Sequence, residues 1–164
     1  MKARIFIGSS TEGLPVAQRI KEYFETEYDC YIWNDGIFKY NEGFLETLIK
    51  SASLFDFGFM VFAADDVSRI RDKEYITTRD NVLFEYGLFL GRVGLDKAYI
   101  IKDKEVKIPS DMLGITLLEY ETTANEDGAK VPNDDFENHL SELKKNIDEK
   151  VALGYLGLFP STVI

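Results

Sequence analysis

Apolar residues along this chain fall in short blocks, and the blocks alternate between two periods. RIFIG (4–8) and FDFGFMVFA (55–63) are almost continuously apolar, as strands covered on both faces are. CYIW (30–33), AYIIK (98–102) and TLLEY (116–120) read as three further strands. Helical spacing separates them. LPVAQRIKEYFETE opens with Pro15 near the first helical position and sets Ala17, Ile20 and Phe24 on one side. FLETLIKSAS predicts a short second helix and RDNVLFEYGLFLGR (79–92) a third. The last helix carries Phe136, Leu140, Leu143 and Ile147 as an amphipathic stripe. ADDVSRIRDKEYITTRD reads as a long polar connection and TTANEDGAKVPNDD (121–134) as a solvated loop.

Strand and helix thus alternate with short connections. The right-handed crossover rule turns that order into an α/β architecture, a five-stranded, mostly parallel sheet with helices on both faces. Ligands of such sheets sit outside the carboxyl ends of the strands. The connections there are GSSTEG, NDGIFKYNEG and the long polar segment.

The third helix poses a chemical question. From Val82 to Gly91 every residue is apolar, aromatic or glycine except Glu85. Thr77 and Asp80 are spaced as a capping box, which starts the helix near Thr78. Thr78, Asn81 and Glu85 then share a face near its N-terminal end. Gly87 and Gly91 are expected to let it approach a neighbour closely. A carboxylate in such surroundings either pairs with a buried cation, Arg79 or another arginine, or opens onto a cleft. GSSTEG precedes a helix and offers backbone N–H groups to a phosphate, but lacks the Gly-Lys-Ser/Thr of a P-loop and the three glycines of a dinucleotide fingerprint. Trp33 and Phe38 offer rings for stacking on a base or pyridine, with Trp33 as plain core the alternative. Asp65 and Asp66 follow the third strand, but a receiver-type phosphorylation site also needs acids after the first, where Gly8 and Ser9 stand.

Composition narrows the choices. With 164 residues, 45 % of them hydrophobic, one ordinary domain with a real core is expected. The net charge of −10 argues against binding duplex nucleic acid or anionic lipid. One cysteine, Cys30, and one histidine, His139, are too few for the usual zinc sites, and no metal is expected. A single cysteine makes no internal disulfide, so the chain reads as cytoplasmic. The N-terminal apolar run is too short for a signal peptide, and no run reaches a membrane span.

RIFIGSSTEGLPVA, YIWNDGIFKYNEGFLETL, FDFGFMVFAADD, KEYITTRDNVLFEYGLFLGR and IPSDMLGITLLEY, in this order, resemble the TIR-like domains of bacterial antiphage effectors in cyclic-oligonucleotide signalling. The likeness spans residues 4–120. It implies a flavodoxin-like TIR fold and cleavage of NAD+ to nicotinamide and ADP-ribose, with NAD+ as substrate and no cofactor. It places the catalytic glutamate on Glu85 and self-association on the loop from Asp35 to Gly43. By position, Gly8, Ser9 and Ser10 are expected at the diphosphate or ribose, Trp33, Asp35 and Phe38 at the nicotinamide or adenine, and Arg79 and Asn81 beside Glu85 or substrate. GLFPSTVI is similar to the junction of a TIR domain with a bacterial STING domain. Residues 1–151 are therefore expected to be the TIR domain of a TIR-STING protein and 152–164 the start of a linker. Such a following domain would bind a cyclic dinucleotide and drive assembly. Two other classes stay open: a TIR module that only assembles, and an enzyme like the nucleoside deoxyribosyltransferases.

Overall fold

The computed structural model describes residues 2–33, 43–112 and 117–154. Asp35, Phe38, most of the loop from Asp35 to Gly43 and the tail from 155 onward lie outside them. In chain order the elements are β1 (Arg4–Ser9), α1 (Leu14–Phe24), β2 (Asp29–Ile32), α2 (Phe44–Ala52), β3 (Phe57–Phe62), β4 (Asp66–Ile70), β5 (Lys73–Thr77), α3 (Asp80–Val93), β6 (Ala98–Asp103), β7 (Leu117–Tyr120), β8 (Thr122–Ala124), β9 (Lys130–Pro132) and α4 (Phe136–Ala152). The central sheet runs β2-β1-β3-β6-β7 with every neighbouring pair parallel. This is the doubly wound order 2-1-3-4-5 of flavodoxin-like folds, with its switch point between β1 and β3.

Strand alternation divides the core in two. Ile5, Ile7, Phe57, Phe59 and Val61 point to the face covered by α1 and α4. Phe6, Met60, Phe62 and Ile100 point to the face covered by α2 and α3. All six residues of β3 are buried, as a strand packed on both faces must be. The stripe expected on α4 is the buried one, Phe136, Leu140, Leu143 and Ile147, each contributing about 1.5–3 kcal/mol relative to exposure. Among the described residues no helix is long and apolar enough to cross a membrane.

Four local expectations need correction. The long polar connection is a β4–β5 hairpin, paired from Asp66↔Thr77 to Ile70↔Lys73. Its two-residue turn is Arg71-Asp72, both at positive φ (48° and 62°), where Asn-Gly is the usual signal. Without that signal the strands read as loop. The solvated loop holds the small β8–β9 hairpin, its turn built on Gly128 at φ 78° and on Asn125 Oδ1, which accepts the N–H groups of Asp127 and Ala129. Helix α3 has no capping box: Thr77 closes β5, and the N-cap is Arg79, in extended backbone and without a side-chain cap. Finally, a Cβ on Gly87 or Gly91 would meet nothing within 4 Å. The close approach of α3 comes from the sheet instead. A Cβ on Gly58 would stand 2.7 Å from the Phe89 ring, which stacks on Phe6 at 4.3 Å, next to Gly58 in the strand register.

Candidate functional site

Helix α3 packs across β3, β1 and β6. Its residues Glu85 and Phe89, one turn apart, face the sheet; Phe89 covers Gly58 and Glu85 reaches Gly8. Gly8 lies near the carboxyl end of β1, paired with Met60 of β3, so the acid stands at the switch point of the sheet. A Cβ on Gly8 would be 3.3 Å from Glu85 Oε2, 3.1 Å from Phe6 and 2.5 Å from Met60 Sδ. The missing side chain of Gly8 is the seat of the carboxylate. Glu85 is only 4 % exposed, so its carboxyl group is withdrawn from bulk water into a place where charges interact more strongly than in solvent.

A second acid, which the sequence reading set aside, ties the surrounding loops together. Asp65 leaves the end of β3 and accepts the Ser10 hydroxyl through Oδ1 (2.8 Å). Its Oδ2 accepts the Arg79 N–H (3.2 Å) and the Thr78 hydroxyl (3.5 Å). Asp65 therefore supplies from outside the helix the capping group that α3 lacks, at the positive end of its dipole. Burial raises the pKa of Asp65, while the bonds from Ser10 and Arg79 act to lower it. Ser10 Oγ also accepts the Gly13 N–H (3.1 Å), fixing the turn into α1. The only hint of this in the sequence was an acid directly after the strongest strand.

The other expected residues divide. Gly8 is brought to Glu85, and Ser10 is joined through Asp65 to the start of α3. Asn81 lies one turn before Glu85 on α3 and is exposed. Arg79 does not pair with Glu85: its guanidinium meets Glu12 at 3.0 Å and Asp66 at 3.9 Å, holding the GSSTEG loop to the β4–β5 hairpin. That removes the reading of Glu85 as half of a buried pair with Arg79. Ser9 follows the strand alternation to the opposite face, with its Cβ beneath Gly13 and its Oγ enclosed without a hydrogen-bond partner among the described residues. Trp33 is 4 % exposed and packs on Phe6 with ring centroids 5.6 Å apart, in the core under α2 and α3. His139 sits on α4, 3.4 Å from Asp135, at the β7 edge of the sheet rather than beside β1 and β3.

The chain matches the family described as the TIR domain of CAP12/Pycsar effector proteins over residues 4–122. It is 65 % identical over its whole length to CD-NTase-associated protein 12 of Lachnospiraceae bacterium (strain RUG226), of which it covers 52 %. It is 53 % identical over its whole length to the protein of the same name from Flavobacterium daejeonense, covering 51 % of it. Over 77 % of the chain it is 36 % identical to the Pycsar effector protein XpPycTIR of Xanthomonas perforans, covering 43 % of that protein. The chain thus spans about half the length of the curated relatives it matches. The strand order, the acid seated at the switch point and this match place the chain in the CAP12/Pycsar effector TIR-domain family.

Proposed function

We propose that this chain is the NAD+-cleaving domain of a cytoplasmic antiphage effector, with Glu85 as its catalytic residue. The observation that carries the reading is the seat of Glu85 on Gly8, at the end of the sheet where ligands of this fold bind. The reaction needs only one catalytic carboxylate. Ordinary glycosidases need a second carboxyl group to protonate the leaving oxygen. Nicotinamide is bonded to the ribose as a positively charged pyridinium and departs neutral with the C–N electron pair, so no proton donor is required. Breaking the C–N bond puts positive charge on the ribose. A carboxylate in a poorly solvated place stabilises that charge more than it stabilises the substrate. Water then adds to the ribose carbon and releases a proton, giving ADP-ribose.

Of the residues around Glu85, Gly8 sets the reach of the carboxylate and Asn81 stands one turn away toward solvent. Ser10 and Arg79 act on the site through the loops they hold. The remaining half of the relatives' length supports a linked regulatory domain. We assign it to the STING class on the sequence of the tail, with a cyclic dinucleotide as ligand and TIR self-association as the activating step.

The test is NAD+ consumption by the full-length protein with and without cyclic dinucleotides, beside Glu85→Gln and Glu85→Ala. Activator-dependent loss of NAD+ is expected for the wild type and none for either variant, with circular dichroism unchanged. A folded Glu85→Ala protein that consumes NAD+ at the wild-type rate would falsify the assignment.

A further inference from the structure

On the other flank of α3, away from Gly8, the β4–β5 hairpin and the segment 107–110 enclose a cleft of about 840 Å3. That volume is in the range of small-molecule sites, roughly 300–1,000 Å3. Its charge runs against the rest of the molecule. Arg71, Lys73 and Lys107 line it, and none of the three forms an ion pair among the described residues, in a chain of net charge −10. The carboxylate in the lining, Asp80, accepts the Asn81 N–H at 2.8 Å at the start of α3. The groove between β7 and α4, about 550 Å3, has the opposite balance: Glu119, Glu121 and Glu142 against Lys104 and His139.

The cleft is built rather than incidental. Lys107 donates its N–H to the Ile76 carbonyl at 2.8 Å and holds its ammonium 3.6 Å from the centre of the Tyr75 ring, joining the hairpin to the segment after β6. Arg71 is at positive φ in a turn that glycine or asparagine would make more easily. Ser68 and Thr77, whose hydroxyls lie 2.8 Å apart and hydrogen-bond each other, line the wall with Ser110, and Phe62, Leu83 and Ile108 add apolar lining. Cations and hydroxyls suit phosphate oxygens and ribose hydroxyls, and the apolar lining suits a flat base.

We propose that this cleft is a second ligand site, separate from Glu85, that takes a phosphate-bearing small molecule of the nucleotide class. The position of the cations, not the enzymatic reading of Glu85, carries this inference.

The test is calorimetric titration of the intact chain with ADP-ribose, AMP, inorganic pyrophosphate and adenosine, none of which requires turnover. ADP-ribose and AMP are expected to bind saturably, more tightly than pyrophosphate or adenosine. The double reversal Arg71→Glu/Lys73→Glu should weaken them by roughly tenfold or more, the effect of losing a charge-assisted hydrogen bond. Lys107→Ala, at a residue outside any strand or helix, should weaken them in the same direction. A remote reversal with the same change of charge, Arg92→Glu/Lys145→Glu, should change affinity by less than about twofold at moderate salt. Pyrophosphate binding as tightly as ADP-ribose would overturn the nucleotide assignment. No saturable binding at millimolar ligand, or equal losses from the cleft and remote reversals, would overturn the site.

Discussion

At the scale of single residues the molecule turns on Gly8. A side chain there would press on Met60, Phe6 and Glu85 Oε2 at once, and Met60 is fully buried. Gly8→Ala is therefore expected to lower stability by about 1–3 kcal/mol, read by urea denaturation. It should also displace the carboxylate. A misplacement on the order of 1 Å lowers turnover about a hundredfold, so NAD+ loss should fall much further than the folded fraction does. Cys30 gives a second check on packing. Burial pushes its thiol up to about 12, so at pH 8 it stays protonated as well as covered. Iodoacetamide should label it only after unfolding; rapid labelling of the native protein would contradict the packing of β2 against α1.

Secondary-structure elements show why some of this was legible and some was not. The five central strands, α2, α3 and the stripe of α4 followed from period alone, because each buries a face and the sequence must keep that face apolar. The β4–β5 hairpin did not, because its turn lacks the residues that mark such turns. Glu85 stood out as a lone acid in an apolar run. Asp65 did not, because its role exists only once β1, β3 and α3 converge. The glycines of α3 were assigned the wrong purpose for a related reason: a helical glycine suggests a close approach, whereas the contact depends on the partner strand. Opposite effects follow. Gly58→Ala would drive a methyl into the Phe89 ring and is expected to destabilise by about 1–3 kcal/mol. Gly87→Ala, mid-helix and exposed, should stabilise by about 0.5–1 kcal/mol. Thermal denaturation of the two variants side by side reads both signs.

For the whole molecule, charge is the governing quantity. Copies that each carry −10 repel one another, and that repulsion opposes the self-association through which this chain is proposed to act. The Debye length shrinks from about 30 Å at 0.01 M salt to about 8 Å at 0.15 M. Assembly measured by light scattering should accordingly rise with ionic strength over that interval; a fall would mean that attraction between opposite charges holds the assembly. The seat of Glu85 has a consequence for protein engineering. Because the socket belongs to β1 and β3, grafting the α3 sequence onto a foreign scaffold would transplant the acid without its docking surface. A recipient would need glycines on two adjacent strands, one pleat apart on the same face, before the borrowed helix could settle at the depth it has here.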